Sequence, residues 1–280
     1  ITAIRETQRE KIIQAAQMVK AVLVRDGLIY VFGCGHSHIL AEETFYRAGG
    51  LANVAPVFYE PLMLHQGAAK SSRLEKQPGL AREVLKNCPA TKNDIFFCLS
   101  TSGVNAVPVE AAEIIRSGGI PTVAICSSAY FDQNARSASG KHLYEVSDLW
   151  IDNKAPHGDA CLLPQGAAIK TTPLSTITGA FILNSILAEA TQLALAEGVD
   201  VPIYLSGNIP GGAERNKALI DRFSPRRPAW GSGLLLRRRG QRPRRRSVPG
   251  CSTQGRRHAH PANRPRSQYR LRLHSDRPPG

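Results

Sequence analysis

The sequence lacks features that mark membrane, secreted and disulfide-stabilised proteins. No run of 18 apolar residues occurs in its 280 residues, although a membrane-spanning helix needs roughly that length. Its first residues show neither a basic segment nor a small-residue cleavage site, so we expect no secretory signal and a cytoplasmic location. The six cysteines form no CxxC pair, which favours reduced thiols over a disulfide framework or zinc site.

Lysine is absent from the last part of the chain. From Arg226 to Gly280 the sequence holds sixteen Arg, no Lys and one acid, Asp276. The formal net charge of +14 therefore comes from this segment, and residues 1–225 are nearly neutral. Its Arg, Pro, Ser and Gly content predicts disorder.

Two interpretations of this segment remain open. A disordered arm of this composition is typical of nucleic-acid binding, but a GC-rich gene translated in a shifted frame yields a similar composition. We favour the frameshift, with nucleic acid bound only non-specifically if at all. The chain is thus divided into a folded domain, residues 1–225, and a tail, residues 226–280.

The folded part alternates short apolar runs with helical stretches. An amphipathic helix is predicted over Ile4–Val24. The predicted strands are Leu28–Phe32, Val54–Phe58, Ile95–Leu99, Thr122–Cys126 and Leu149–Ile151. The helices between and after them are Ile39–Ala48, Leu80–Lys86, Val107–Ser117 and Ser175–Glu197. Strands that are apolar on both faces indicate a parallel sheet between two helix layers, so we predict a three-layer α/β/α sandwich.

Two predicted strands end in loops suited to binding an anion. The first loop reads GCGHSH and places Gly35 and Ser37 before a helix. The second follows Leu99 and supplies Ser100, Thr101 and Ser102. Free N–H groups and the dipole at a helix N-terminus attract anions. One such turn is also common without a ligand, but two in one parallel sheet indicate a shared phosphate.

These loops resemble the two signature segments of the sugar isomerase (SIS) domain family, on its phosphoheptose-isomerase-like branch. The resemblance spans roughly residues 1–223 and includes Glu110 on the helix after the second loop. It implies a flavodoxin-like sandwich, a homodimer, and a phosphorylated sugar bound without a nucleotide or other cofactor. The phosphate site that it implies comprises Gly35, Ser37, Ser100, Thr101, Ser102, Gly103 and Asn105.

The base for proton removal beside a sugar carbonyl is not identified uniquely. Family enzymes carry a Glu ten residues past the first-loop serine, where this chain has Arg47. Glu42 and Glu43 come a few residues earlier on the same helix, and Glu60 follows the second strand. All three are candidate bases, although surface glutamates usually have no catalytic role.

Histidines and hydroxyls near the loops are further candidates. His36 and His65 are predicted to assist proton transfer, and His38, Ser175 and Thr176 to contact the sugar, the latter two near the start of the long helix. The alternative for each histidine is a bond to loop backbone. No set of ligands matches a closed zinc site, so we predict no metal.

Cys34 lies in the first loop beside a helix N-terminus, which would lower its pKa. We nevertheless expect this thiol to fill space rather than to react.

The sequence thus predicts an enzyme that isomerises a hexose or N-acetylamino-sugar 6-phosphate, or acts on it as a lyase or dehydratase. The open alternative is a non-catalytic domain that senses sugar phosphates.

Overall fold

The computed structural model describes residues 1–227. The helices are α1 (Thr2–Thr7), α2 (Arg9–Val24), α3 (His38–Thr44), α4 (Ala68–Leu74), α5 (Leu80–Val84), α6 (Ala106–Ser117), α7 (Ser175–Ala196) and α8 (Gly212–Phe223). The strands are β1 (Ile29–Gly33), β2 (Val54–Val57), β3 (Ile95–Leu99), β4 (Thr122–Cys126), β5 (Leu149–Asp152), β6 (Ala160–Leu162) and β7 (Thr171–Pro173).

The first five strands form one parallel sheet in the order β2-β1-β3-β4-β5. This is the flavodoxin-like order, in which the strand order reverses between β1 and β3. The predicted α/β/α sandwich is confirmed. Every strand residue of β1, β2, β3 and β4 is buried, as expected for strands covered on both faces.

Alternate strand side chains face two separate cores. Ile29, Val31 and Phe97 pack in the core formed with α2, α3 and α7. Tyr30 and Phe96, their neighbours along the strands, pack in the core formed with α5, α6 and α8. The period of two along β1 and β3 therefore places one helix layer on each face of the sheet.

The predicted N-terminal helix is interrupted at Gln8. The buried Gln8 side chain accepts a hydrogen bond from Asp152 N (3.0 Å) at the end of β5, which a continuous helix pattern does not indicate. The helix after the first loop is shorter than predicted: it ends at Thr44, and Phe45 has extended backbone (φ −94°, ψ 134°). The sequence analysis also missed α4 and the antiparallel hairpin β6–β7, both of which border the site described below.

Among residues 1–227, one helix, α7, is long and apolar enough to cross a membrane by length and composition alone. Its buried residues, Ile182, Leu183 and Ile186 among them, belong to the core that it shares with α2 and the sheet. Packing on the sheet therefore accounts for one apolar face of α7.

The described chain continues two residues past the predicted domain boundary at 225. Arg226 Nη1 donates to Asp26 O (2.5 Å), and the buried Arg227 donates to Ala52 O. The predicted disorder and frameshift origin of the tail concern residues 228–280, which lie outside the described residues.

Candidate functional site

A cavity of about 370 Å³ opens at the carboxyl ends of β1 and β3, where the strand order reverses. Ligands of open α/β sheets bind at this position because the loops of adjacent strands diverge there. It is lined by Cys34, Gly35, His36, Ser37, Leu64, Ser71, Ser72, Glu75, Ser100, Thr101, Ser102, Asn105, Tyr130, Gly158, Asp159 and Ser175.

The first loop needs both of its glycines. A Cβ at Gly33 would lie 2.7 Å from atoms of Ser37, so only glycine permits this tight turn. Gly35 has φ +55°, the left-handed region that favours glycine. The turn is closed by Ser37 N donating to Cys34 O (3.0 Å), and it leaves Gly35, His36 and Ser37 on the cavity wall.

The second loop presents hydroxyl groups beside the start of α6. Ser100, Thr101 and Ser102 line the cavity, and Gly103 supports them from outside it, with φ +64° and its N–H donating to Ser100 Oγ (3.3 Å). The N-cap residue Asn105 makes no side-chain capping bond to α6. Val107 N, in the first turn of α6, instead donates to the backbone oxygen of Glu75 (3.0 Å), and the next residue, Pro108, has no N–H to offer.

The start of α7 is occupied by Asp159. Its Oδ1 accepts from Leu174 N (3.0 Å) and Ser175 N (2.8 Å), and its Oδ2 accepts from Ser175 Oγ (2.7 Å). The carboxylate thus stabilises the helix N-terminus from within the chain. The hydroxyl hydrogen of Ser175 is used in this contact, which leaves its oxygen to accept.

Glu75, one residue past α4, brings a carboxyl group between the two loops. Its Oε1 accepts from Asn105 Nδ2 (2.9 Å), and its Oε2 lies 3.9 Å from where a Cβ of Gly35 would stand. Burial raises the pKa of Glu75, against the smaller lowering by the charges of Lys76 and Arg136. A desolvated carboxylate with few hydrogen bonds is a stronger base than one in water.

Cys34 is buried beside this carboxyl group. Burial and then the charge of Glu75 raise the pKa of its thiol, so the predicted lowering by a helix N-terminus is wrong. The thiol is neutral and packs in the second core, consistent with a space-filling role.

Eight of the predicted site residues meet at this cavity. They are Gly35, His36, Ser37, Ser100, Thr101, Ser102, Asn105 and Ser175. Thr176 lies behind them on a small void of about 10 Å³ that Ser37 and Ser100 also line. His38 is buried, bonds through Nδ1 to Gly35 O and packs its ring edge against Phe58. The backbone-bonded alternative considered for a loop histidine thus describes His38.

The three glutamates predicted as bases are not on the cavity wall. Glu43 is half-buried and pairs with Arg47, four residues further on. Glu42 is exposed and lies 3.5 Å from His38 Nε2. Glu60 is exposed in a 3₁₀ turn after β2. The pairing of Glu43 with Arg47 and the exposure of Glu42 and Glu60 are consistent with their absence from the cavity lining.

His65 is exposed on the 3₁₀ turn Leu64–Gln66, and it is Leu64 that lines the cavity.

The cavity-lining residues that were not predicted from the sequence include Glu75, Tyr130 and Asp159. A polar helix, α4, in the long stretch between β2 and β3 was the available signal for Glu75. Among residues 1–227, no three His, Cys, Asp or Glu side chains are grouped closely enough to hold a metal ion.

Comparison with known proteins supports the SIS-domain resemblance of the two loops. Residues 1–127 match the SIS domain family. A UPF0309 protein of Geobacillus sp. strain WCH70 is 45% identical over 224 residues, covering 80% of this chain and 91% of the relative. A UPF0309 protein of Brucella anthropi is 40% identical over 228 residues, covering 81% and 93%. This chain belongs to the UPF0309 family and contains a SIS domain.

The SIS-domain resemblance seen in the two loops is therefore confirmed. Among solved structures, the phosphoheptose isomerase of Neisseria gonorrhoeae is similar with 16% identity and a TM-score of 0.42, covering 69% of this chain and 89% of that one.

Proposed function

We propose that this SIS domain binds a sugar 6-phosphate in the cavity between the first and second loops and removes the proton beside the sugar carbonyl. The observation that carries the proposal is the convergence of the start of α6, the hydroxyl side chains of the two loops and one desolvated carboxyl group on a single cavity. The helix and hydroxyls suit a phosphate, and the carboxyl group suits a general base.

The phosphate is assigned to the α6 side of the cavity. Ser37, Ser100, Thr101 and Ser102 supply O–H donors there, and the helix dipole adds to their field. The α7 side is unsuited to it because Asp159 already carries a negative charge at that helix N-terminus. A sugar held by its 6-phosphate then extends towards Glu75 and the cavity-lining residues Gly158 and Asp159.

Glu75 is the proposed base. Its carboxylate takes the C2 proton of the open-chain aldose. The C2–H electron pair then forms a C1–C2 double bond, and the C1 carbonyl oxygen receives a proton, which gives an enediol. His36, exposed on the cavity rim, is the proposed donor of that proton, since an imidazole exchanges protons near neutral pH.

Two outcomes of the shared intermediate remain. Returning the proton to C1 gives the ketose and completes an isomerisation. Expelling a C3 substituent with its bonding electrons gives elimination, as in a lyase or dehydratase. Both begin with the same proton transfer, so the assignment of Glu75 holds for either.

The test uses the wild-type protein with a panel of hexose and N-acetylamino-sugar 6-phosphates in D₂O, followed by proton NMR at C2. Loss of the C2 proton signal for at least one sugar supports the proposal. Calorimetric binding without exchange for every sugar supports the sensing alternative, and neither binding nor exchange contradicts both.

We also propose a cytoplasmic homodimer that pairs through the N-terminal helices and α7. A groove of about 600 Å³ has Ile12, Ile13 and Phe181 among its walls. Arg5 and Arg9 lie in the same groove as Glu6 and Glu189, so a second copy related by a two-fold axis can match opposite charges. Sedimentation of the wild type and of an Ile13→Asp variant tests this: a monomeric wild type, or a variant that remains dimeric, contradicts it.

A further inference from the structure

The Glu75 carboxyl group is the end of a hydrogen-bonded chain that begins outside the cavity. Arg136 Nη1 donates to Asn105 Oδ1 (2.8 Å), and Asn105 Nδ2 donates to Glu75 Oε1 (2.9 Å). Arg136 is exposed and is not among the cavity-lining residues, whereas Asn105 is buried and lies on the wall.

The chemistry of the three groups gives this chain a direction. A guanidinium group only donates hydrogen bonds and a carboxylate only accepts them. The amide between them has one oxygen and one NH₂ group, so the contact with Arg136 turns the oxygen outwards and leaves the NH₂ group facing Glu75. Without the guanidinium, a flipped amide would place its oxygen against the carboxylate, which is repulsive.

The carboxylate of buried Glu110, on α6, anchors the backbone near both ends of this series of hydrogen bonds. Its Oε2 accepts from Gly79 N (2.7 Å), close to Glu75 in the sequence. Its Oε1 accepts from Ala138 N (3.3 Å), two residues past Arg136 in the sequence. Arg136 N also donates to Val104 O (2.8 Å). The loop carrying Arg136 is therefore fixed against the second loop, and the chain of bonds has a rigid support.

We propose that Arg136 is a positioning residue that, through the amide of Asn105, directs the Glu75 carboxylate towards the bound sugar. This inference rests on the proposed function because it takes Glu75 as the base. It adds a residue that does not line the cavity, reached through one intervening side chain.

Charge alone does not account for the arrangement. The groups that act on the carboxyl group of Glu75 are Lys76 beside it, Arg136 from the opposite loop and the neutral Cys34 thiol. Lys76 and Arg136 both lower the pKa of Glu75, against the larger effect of burial, but only Arg136 is bonded to the Asn105 amide. Replacing each cation by Met therefore separates loss of charge from loss of orientation.

The experiment compares Arg136→Met, Arg136→Lys, Lys76→Met and, as a baseline, Arg82→Met at an exposed site on α5. The first readout, independent of activity, is NMR of the Asn105 side-chain amide and a ¹³C titration of the Glu75 carboxyl group. We expect R136M and K76M both to raise the Glu75 pKa, and only R136M to shift the Asn105 amide signals.

The second readout is the rate of C2 proton exchange against pH. Since the ionised carboxyl group is the active form, R136M and K76M move the low-pH limb of the profile to higher pH. R136M also lowers the rate on the plateau about tenfold, K76M keeps it, and R136K restores part of it.

Equal plateau rates and unchanged Asn105 signals in R136M and K76M would overturn the positioning role. Absence of exchange in the wild type would contradict the proposed function instead. In that case the amide signals of R136M still decide whether Arg136 orients Asn105: a shift retains that contact, and no shift rejects it.

Discussion

Two acids border the same cavity at the starts of two helices, and they are held in opposite ways. Asp159 bonds directly to the backbone N–H groups at the start of α7, within 3.0 Å. Glu75 lies near the start of α6 but bonds to the side chain of its N-cap residue, Asn105, and burial raises its pKa. The first carboxylate caps its helix from within the chain, whereas the second contacts α6 through a side-chain amide and is the base in the proposed function.

The largest expected effect that separates these acids is on proton transfer. Glu75→Gln keeps the hydrogen bond from Asn105 but removes the base, so C2 exchange should fall about 10²- to 10⁴-fold with binding of the sugar phosphate retained. Glu43→Gln, on α3 and outside the cavity lining, is the matched control and should exchange at the wild-type rate. NMR in D₂O measures both exchange rates, and equal rates in the two variants would contradict the assignment of Glu75 as the base.

Much of this comparison was accessible from the sequence. The strands were predictable because each is an unbroken apolar run between polar or glycine-containing turns, and β3 and β4 have the predicted bounds. The two loops were predictable because glycine and serine after a buried strand have a local physical reason. Both signals lie within a few consecutive residues.

The acids were not predictable because their roles depend on distant partners. Glu75 and Asn105 are 30 residues apart in the chain, and Asp159 and Ser175 are 16 apart. Glu43 looked suitable because it follows the first loop, yet it pairs with Arg47 and does not line the cavity. Burial and long-range contact decide which carboxylate is desolvated, and no local pattern encodes either.

The hydroxyl groups beside the start of α6 predict a second effect, on binding. Ser102→Ala removes a charge-assisted hydrogen bond worth about 1.5–3 kcal/mol, which corresponds to at least about tenfold in affinity for a sugar 6-phosphate. Ser117→Ala, at the other end of α6, is the control. Calorimetry that gives the same affinity for both variants would argue that the phosphate lies elsewhere.

Removing the acid at the start of α7 should instead affect stability. Asp159→Ala leaves the Ser175 N–H and hydroxyl without their acceptor, while Leu174 N keeps its bond to the backbone oxygen of residue 159, so the free energy of unfolding should fall by about 0.5–2 kcal/mol. Asp132→Ala, at an exposed position, should change it little. Urea unfolding at neutral pH measures the difference, and an equally stable D159A variant would contradict the capping role.

The smallest effect has the opposite sign and belongs to Glu75. Because its pKa is higher in the folded than in the unfolded state, the folded chain binds more protons between those two values. Its ionisation therefore reduces stability as pH rises through that range. Glu75→Gln should be more stable than wild type above the range and lose this advantage below about pH 4. Thermal unfolding against pH checks it, and a variant less stable than wild type at pH 8 would oppose it.

The most direct test of the account is a crystal structure of the Glu75→Gln variant with a sugar 6-phosphate that the wild type exchanges. We expect the phosphate at the start of α6, on Ser37, Ser100 and Ser102, with C2 about 3–3.5 Å from the side chain of residue 75. A phosphate at the start of α7 in place of the Asp159 carboxylate, or a C2 atom facing away from residue 75, would contradict the central claim.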